Sequence, residues 1–377
     1  MKILHIHQDY PDNRNFPSTN AVKNLIDGVK KKDKEIEHFV ISINRSSNPF
    51  RISFKQFDDG LSVVFWSIPL PIIYTLSIRF WSFILKKTIN LKDFDCIHAH
   101  KLTSEGVFAY YLSKSTSIPY YISVRGGTDL HNINRFSGMK KKFSKIYKNA
   151  KEIFWVSPWA TELTVSKLGV SEKGILLPNI CKLVEPESVI SYSQSRYTTV
   201  LSFHQYKRKG LLKLFQAIHE LNKKGLDVKL DVIGSGGEKE KRLIKNEVNR
   251  LGLSNHVKFL GQLPHSEVLT KLQASKALLL PAENETFGMV YVEALSCGCP
   301  ILYMANTGVD GYFCDKNVGV KVYSQEINEL SDAIITLEDN NSFYKQEIQN
   351  FLNRGELEEF KEDSIVKSYI MELANGK

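Results

Sequence analysis

A regular alternation of short apolar runs with longer amphipathic segments constrains the fold more than any other feature. The first half of the chain contains the runs "KILHIH", "EHFVIS", "CIHAH", "PYYISV" and "EIFWVS". The second half repeats the order with "TTVLSF", "VKLDVIG", "HVKFLG", "ALLLP" and "PILYMA". Continuous apolar runs are typical of parallel strands buried on both faces, and the helical segments between them supply the connections that parallel strands need. The pattern predicts an α/β protein with doubly wound, Rossmann-like sheets.

Length indicates two domains, because 377 residues exceed what one ordinary core accommodates. The poorly patterned stretch "EPESVISYSQSRY" separates the two series of strands. We predict an N-terminal domain over residues 1–184, a linker over 185–197, a C-terminal domain over 198–355, and a terminal helix over 356–377 that packs back towards the N-terminal domain. Two such domains facing one another across a cleft form a natural site for a nucleotide-bearing ligand.

The net charge of +9 admits nucleic acid, an anionic membrane surface or phosphorylated small molecules as partners. No sequence motif for nucleic-acid recognition accompanies this charge, so nucleic acid is not an expected partner. The five cysteines are odd in number and show neither a CxxC pair nor zinc spacing. Cysteine usage therefore predicts a protein of the reducing cytoplasm, without a metal site.

Residues 61–78, "LSVVFWSIPLPIIYTLSI", form an uncharged segment close to the minimum length for crossing a membrane. Pro69 and Pro71 interrupt it, so we interpret it as a strand, a proline-rich turn and the start of a helix, "YTLSIRFWSFILKK". Phe80, Trp81 and Ile84 share one face of that helix. They either enter a membrane interface or pack within the domain.

The most basic run, "MKKKFSKIYKNAK" at residues 139–151, is either a solvated helix face or a membrane-surface patch. It lies in the same half of the chain as the aromatic helix. Several lysines held near an anionic leaflet could attach a protein without a spanning helix. The pairing predicts peripheral contact with the inner face of the cell membrane.

Three strand-to-helix loops of the second half carry the candidate chemistry. In "HQYKRKG", residues 204–210, three cations precede a glycine that allows close backbone approach, an arrangement suited to phosphate. In "IGSGGEKE", Gly234 and Ser235 follow a strand and open a helix, leaving amides unobstructed at its N-terminus. Parallel strands end at one edge, so these loops should converge there.

The third loop, "PAENETFGMVYVEALSCGCPI", places Glu285 and Glu293 around a strand-to-helix turn. The amides of Phe287 and Gly288 can face an anion or a sugar, while the two carboxylates accept hydrogen bonds from hydroxyl groups. We therefore predict that a ligand with phosphate and hydroxyl groups binds at this edge.

These motifs resemble those of the retaining glycosyltransferases of family 4, which have the GT-B fold. The likeness extends through "GSGGEKE", "VKFLG", "PHSEV" and the E-x7-E motif, and is supported by "RKG" and "LPN". In the first half, "CIHAHKLTSEG" and "IPYYISVRGGTDL" are similar to strands of the family's acceptor domain. The resemblance implies a GT-B fold with two doubly wound Rossmann-like domains facing across a cleft.

The resemblance also implies roles for individual residues. Lys209 corresponds to the family lysine that binds the diphosphate, and Glu285 to the glutamate that holds the sugar hydroxyls, so these two are the expected catalytic residues. Glu293 corresponds to the glutamate that holds the nucleotide ribose. The remaining positions expected to bind the donor are Arg208, Gly234, Ser235, Gln262, Leu263, Thr286, Phe287, Gly288 and Met289.

On the acceptor side the resemblance implies Arg125, Asp129 and His100. The chain differs from the family pattern at two positions. His204 stands where an arginine usually precedes the lysine, and Gly126 stands where a histidine is usual. The segment "NFPSTNA" replaces the family's glycine-rich N-terminal loop.

The resemblance implies a metal-independent hexosyltransferase without a cofactor. Its donor would be a UDP- or GDP-sugar and its acceptor a glycan or lipid-linked saccharide, in the synthesis of lipopolysaccharide O-antigen, capsule or exopolysaccharide. Two alternatives stay open: a nucleotide-sugar epimerase of the same fold, and a catalytically weak subunit that binds sugar nucleotides. The substitutions at His204 and Gly126 motivate the last of these.

Overall fold

The structure, a computed structural model, describes residues 1–14, 19–68, 70–184 and 195–375. The chain divides into two units, one formed by Met1–Ile180 with Glu362–Lys377 and the other by Cys181–Lys361. We call them unit 1 and unit 2. Most of the predicted linker, residues 185–194, lies outside the described residues, as do residues 15–18 of the segment "NFPSTNA".

Unit 1 is an α/β layer structure in which helices cover both faces of one sheet. Its strands are β1 Lys2–His7, β2 Glu37–Ser46, β3 Ser53–Phe57, β4 Gly60–Trp66, β5 Cys96–Ala99, β6 Tyr120–Val124, β7 Ile153–Trp155 and β8 Ile175–Leu176. Its helices are α1 Ala21–Lys32, α2 Pro71–Thr88, α3 Glu105–Thr116, α4 Gly127–Arg135, α5 Lys140–Asn149, α6 Pro158–Leu168 and α13 Glu362–Asn375.

The sheet of unit 1 has the order β3-β4-β2-β1-β5-β6-β7-β8. All neighbouring strands are parallel except β3 and β4, which form an antiparallel pair at one edge. The chain winds outwards from β1 in one direction and then, starting with β5, in the other. The loops after β1 and β5 therefore leave the sheet side by side but in opposite directions, which opens a crevice at the carboxyl ends of these two strands.

Helix α13 closes one face of this sheet although it is distant in sequence. Its residues Val366 and Tyr369 are buried in a cluster with Ile3, Val29 and Phe154. The helix also supplies a polar contact, since the Tyr369 hydroxyl lies 2.8 Å from Nδ1 of His98, a fully buried side chain on β5. Helix α13 therefore completes the same hydrophobic core that contains β1 and α1.

Unit 2 has a smaller sheet with the same architecture. Its strands are β9 Tyr197–Val200, β10 Leu230–Ile233, β11 Val257–Gly261, β12 Leu278–Leu279, β13 Ile301–Met304 and β14 Gly319–Val322. Its helices are α7 Leu211–Lys223, α8 Glu238–Arg250, α9 His265–Gln273, α10 Met289–Ser296, α11 Ile327–Asp339 and α12 Asn341–Asn353. The order β11-β10-β9-β12-β13-β14 is entirely parallel. Its reversal lies between β9 and β12.

The predicted α/β class with two Rossmann-like sheets is confirmed. The sequence pattern missed the antiparallel edge strand β3, whose alternating and partly exposed residues form no continuous apolar run. At the predicted strand-to-helix turn, helix α10 begins at Met289, directly after Gly288, whose φ is 75°. A left-handed residue ends the preceding turn and cannot belong to the helix.

The apolar face predicted for α2 is only partly correct. Trp81 is buried in the core of unit 1, where its indole N–H donates to the Trp66 carbonyl at 3.0 Å, and Ile84 packs against the same core. Packing within the domain is therefore the right explanation for both residues. Phe80 is 56% exposed. Among the helices that the structure describes, none combines the length and the apolar character needed to cross a membrane.

Tyr369 tests the contribution of α13 to the core. We expect Tyr369→Ala to lower the free energy of unfolding by roughly 3 to 5 kcal/mol, because it opens a cavity and leaves buried His98 without one of its partners. Urea unfolding measures the change. Met371→Ala is the matched control on the same helix, since Met371 is half exposed and its truncation should cost less than about 0.5 kcal/mol. Equal losses in the two variants would contradict this role for Tyr369.

Candidate active site

A largely buried ion pair lies at the reversal of the strand order in unit 2. The loop after β9 carries Lys209 and the loop after β12 carries Glu285, and the Lys209 ammonium donates a hydrogen bond to Glu285 Oε2. The two side chains are only 11% and 14% exposed. Each charge therefore compensates the cost of removing the other from water. A ligand with both an anion and hydroxyl groups can offer each of them a new partner.

Arg208 fixes the path of the chain on the β12 side of this site. Its Nη1 donates to the carbonyls of Glu283 and Asn284, at 3.0 Å each, and lies 3.6 Å from Glu285 Oε2. Its Nη2 donates to Gln205 Oε1 at 2.7 Å. The guanidinium group thus joins the loops after β9 and β12, and contributes a second positive charge beside Glu285.

A third loop holds the backbone of Glu285. The Gly308 amide and the Thr307 hydroxyl donate to the Glu285 carbonyl at 2.8 and 2.9 Å. The turn that follows requires Gly288, because a Cβ added there would lie 2.6 Å from the Tyr291 ring. The Tyr291 hydroxyl is itself bound to the Leu280 carbonyl at 2.6 Å. The carboxylate is therefore presented by a loop that packing and hydrogen bonds hold in place.

Glu293, eight residues further on, projects from α10 and is almost completely buried. Its Oε1 lies 3.1 Å from Nε2 of His265, the first residue of α9. This hydrogen bond with the carboxylate raises the pKa of His265. The sequence prediction missed His265 as a partner of Glu293, although it lies within the quoted motif "PHSEV".

The glycine-rich loop lies beside a cavity of about 330 Å³. Ser235 Oγ donates to Gln262 Oε1 at 3.0 Å, so the loops after β10 and β11 are joined at the cavity wall, with Leu263 next along the chain. Phe203 and Phe259 supply its apolar lining. Close packing requires Gly234, since a Cβ there would lie 1.8 Å from the Leu201 carbonyl oxygen. A cavity with an aromatic lining and amide hydrogen-bonding groups suits a planar heterocycle.

The residues predicted to bind the donor just before α10 differ in whether a ligand could contact the side chain or only the backbone. The Phe287 ring is fully buried against the rings of Tyr312 and Phe360, with centroids 5.7 and 5.8 Å away. Only the backbone of Phe287 is therefore available to a ligand. Thr286 and Met289 are partly exposed on either side of it. His204 is 63% exposed, 3.8 Å from Glu240 Oε2.

The three residues predicted on the acceptor side lie around the carboxyl edge of the sheet in unit 1. Asp129 is fully buried, and its Oδ1 accepts hydrogen bonds from the Thr103 amide and hydroxyl at 2.9 and 2.8 Å. It therefore fixes the loop after β5. His100 is also fully buried, with Nε2 3.0 Å from Nδ1 of His5. Arg125 donates to Asn179 Oδ1 at 3.0 Å.

A charged network at the same edge was not predicted, although Lys101 and Glu105 lie in the quoted segment "CIHAHKLTSEG". Lys101 Nζ donates to Asp9 Oδ2 at 2.5 Å and lies 3.9 Å from Glu105 Oε1. Glu105 accepts a hydrogen bond from the Gln8 amide at 2.8 Å and lies 3.4 Å from Nδ1 of His7. Complete burial raises the pKa of Glu105 to about 7. This carboxyl group can therefore exchange a proton near neutral pH.

Next to this network, a small cavity of about 170 Å³ opens at the carboxyl edge of unit 1. Arg45 and Arg135 line it together with Gln8, Ser104 and Asn132. Arg45 also donates to the Ser67 carbonyl at 2.9 Å, which limits its freedom to move. Polar hydrogen-bonding groups of this kind can hold a hydroxylated or anionic ligand.

One group among the described residues has the spacing of a metal site, namely His5, His98 and His100, whose ligand atoms lie within 4.8 Å of one another. Both nitrogens of His98 already have partners, the Tyr369 hydroxyl and Ser123 Oγ, at 2.8 and 2.9 Å. His5 likewise contacts His100 and His38, at 3.0 and 2.9 Å. The three histidines therefore belong to a buried hydrogen-bonded cluster, in which Nδ1 of His100 has no hydrogen-bond partner among the described residues.

Comparison with known proteins agrees with this architecture. Residues 189–354 match the family described as "Glycosyl transferases group 1". An uncharacterized glycosyltransferase of Methanocaldococcus jannaschii is 23% identical over 337 residues, which cover 88% of each chain. Among solved structures, the lipopolysaccharide outer core galactosyltransferase WaaB superposes with a TM-score of 0.69 at 17% identity, over the full length of both chains. Anabaena HepE in complex with UDP and glucose also gives a TM-score of 0.69 at 17% identity, over 99% of each chain.

The fold of the chain is therefore GT-B, with two Rossmann-like units. The match over residues 189–354 and the relatives that are named glycosyltransferases support a transferase enzyme.

Glu105 provides a test based on pH. Its pKa of about 7 in the folded protein exceeds the ordinary value of 4.5, so the stability present below pH 4.5 is lost as the pH rises through 7. Glutamine carries no charge at any pH, so the variant does not lose free energy of unfolding through ionisation at this position. We expect Glu105→Gln to gain roughly 2 to 3 kcal/mol in free energy of unfolding, relative to wild type, between pH 4.5 and pH 8. Urea unfolding across that range measures the difference. Glu162→Gln, at an exposed position of unit 1, is the control; a pH-independent difference for Glu105→Gln would refute the assignment.

Proposed function

We propose that this protein is a retaining glycosyltransferase of family 4 that transfers a sugar from a UDP- or GDP-sugar to a glycan or lipid-linked saccharide. The observation that carries the proposal is the ion pair between Lys209 and Glu285 at the strand-order reversal of unit 2, with Glu293 on the helix that follows. The motif resemblance supports it, as does the similarity of fold to proteins whose names specify a galactosyltransferase and a complex with UDP.

In this proposal the donor separates the two charges of the ion pair. Lys209 pairs with the diphosphate and donates hydrogen bonds to two or more of its oxygens. Glu285 then accepts hydrogen bonds from the sugar hydroxyls. Glu293, held by His265, binds the ribose. The base enters the cavity beside Ser235 and Gln262. The amides of Gly288 and Met289, at the start of α10, add positive ends of backbone dipoles near the phosphate or sugar.

The chemical step in this proposal breaks the bond between the sugar's anomeric carbon and the diphosphate oxygen, and the bonding electrons leave with the diphosphate. The acceptor oxygen attacks from the face that the diphosphate leaves, and its proton passes to the departing phosphate oxygen. Lys209 and Arg208 stabilise the negative charge that develops there. Because attack and departure use the same face, the anomeric configuration is retained.

We assign acceptor binding to the carboxyl edge of unit 1, where Arg125 and the cavity next to Arg45 and Arg135 lie. Asp129 and His100 are buried there and position the surrounding loops. We further propose that the acceptor belongs to a surface polysaccharide, such as O-antigen, capsule or exopolysaccharide. The enzyme would then work in the cytoplasm at the inner membrane face.

Incubation with a panel of labelled UDP- and GDP-sugars and lipid-linked saccharides tests the function. Transfer with retained anomeric configuration is the expected result. Release of a free epimer would establish a nucleotide-sugar epimerase instead. Saturable binding of a sugar nucleotide without turnover would establish a binding subunit.

Lys209 is the first residue to test in that assay. We expect Lys209→Ala to lower kcat by about 10²- to 10³-fold, because the lysine's contact with the diphosphate strengthens as the leaving group gains charge. Lys213→Ala is the matched control, since Lys213 is exposed on α7, four residues further along. Turnover of Lys209→Ala close to that of wild type would remove this lysine from the mechanism.

The two glutamates should respond differently to the same conservative change. Glu285→Gln should chiefly lower kcat, because this side chain touches the reacting sugar, whereas Glu293→Gln should chiefly weaken nucleotide affinity. Binding of free UDP and GDP by calorimetry, together with steady-state kinetics, separates the two effects. If Glu293→Gln binds both nucleotides as wild type does, the ribose assignment is wrong.

A further inference from the structure

A groove with an unusual charge composition lies on the helical face of unit 1, between α2, α3 and α5. Its cavity has a volume of about 580 Å³. Six of its lining residues are cationic: Arg79, Lys86, Lys114, Lys141, Lys142 and Lys145. None of the described residues that line it is acidic. The structure thus brings together the basic run at 139–151 and the aromatic helix, which are distant in sequence.

The charges of this groove are not neutralised by the protein. In the described part of the chain none of the six cations forms an ion pair. Lys142 donates to the Tyr111 hydroxyl at 2.5 Å, and Lys86 donates to the Ser115 carbonyl at 2.7 Å. Both are neutral partners, so the positive charge remains available. Cations crowded into one concave site repel one another, and an anion in the groove removes that repulsion.

An apolar ridge borders the groove. Ile73, Leu76, Phe80 and Phe83 recur at helical spacing along α2, and between 38% and 58% of each is exposed. Phe83 belongs to both features, since it also lines the groove. An exposed apolar ridge beside a cationic groove matches a molecule whose phosphate is joined to hydrocarbon chains.

We propose that the groove between α2, α3 and α5 binds the headgroup phosphate of an anionic membrane lipid while the ridge of α2 enters the lipid interface. A free phosphate compound would use the cations but would gain nothing from the ridge. A solvated helix face would carry dispersed charges rather than a concave cluster without acids. The groove is therefore a defined headgroup site and not only a source of diffuse attraction.

This site is distinct from the acceptor edge. Helix α3 begins at Glu105, in the charged network, and reaches the groove with Lys114 in its last turn. At 1.5 Å per residue these positions are roughly 14 Å apart along the helix axis. The assignment rests on the proposed function of this enzyme at a membrane. The groove and the ridge would be the surface that holds the enzyme there.

Sedimentation of the full-length protein with vesicles tests the proposal. The probes are vesicles of phosphatidylcholine alone and of phosphatidylcholine with phosphatidylglycerol. The groove variant is Lys86→Gln/Lys114→Gln/Lys145→Gln. The matched control, Lys92→Gln/Lys148→Gln/Lys151→Gln, removes the same charge from exposed positions of unit 1 outside the groove. Unchanged melting temperature and unchanged UDP or GDP binding would verify that each variant is folded.

We expect wild type to sediment with the anionic vesicles only, and high salt to reverse most of the binding. The groove variant should lose at least about tenfold in partition coefficient, whereas the control should stay within about twofold of wild type. Leu76→Ser/Phe80→Ser should lose the part of the binding that resists salt.

Equal losses in the groove variant and the control would show that diffuse charge suffices, and would overturn the proposal. Failure of wild type to sediment at low salt would do the same. Inorganic pyrophosphate is the second probe; if its binding in calorimetry is weakened in the groove variant but not in the control, while vesicles do not bind, the ligand is a soluble phosphate compound and the lipid assignment is wrong. Groove-dependent sedimentation without transfer of any sugar would leave the headgroup site standing and remove only the transferase mechanism.

Discussion

The structure depends on the parallel arrangement of the strands, which collects the loops that follow every strand at one edge of each sheet. Where the strand order reverses, two of these loops diverge and leave a crevice. In unit 2 the reversal between β9 and β12 brings Lys209 against Glu285, and in unit 1 the reversal between β1 and β5 brings Lys101 against Asp9. The ion pairs at both edges are thus consequences of topology, since the strand order brings together residues that are far apart in sequence.

The two edges differ in how their charges are satisfied, and the difference suits different tasks. At the edge of unit 2, Lys209 and Glu285 are slightly exposed and each has a partner that a ligand can replace. At the edge of unit 1, Glu105 is fully buried and receives the Gln8 amide, while Asp129 receives two hydrogen bonds from Thr103. Buried, hydrogen-bonded carboxyl groups of this kind fix loop geometry. The charged side chains whose partners a ligand can replace therefore lie at the edge of unit 2, where we place the donor.

Much of the fold could be predicted because the pattern of a buried parallel strand is local. β1 has the bounds expected from "KILHIH", and the runs predicted as β5, β11 and β13 are strands. The edge strand β3 could not be recognised, since exposure on one side removes the apolar signal. Trp81 shows a different limit of sequence-based prediction. Its helical spacing indicates an apolar face but does not reveal whether protein or lipid covers that face.

The sequence by itself determined the α/β class, the strand-to-helix loops, and the candidate residues Lys209, Glu285 and Glu293, because each of these follows from periodicity or from a motif within a short segment. Only the tertiary structure decided their partners. The contacts of His265 with Glu293 and of Lys101 with Asp9 join different loops and helices, as does the groove that contains six cations. Their formation depends on strand order and helix packing, which no local stretch of sequence specifies.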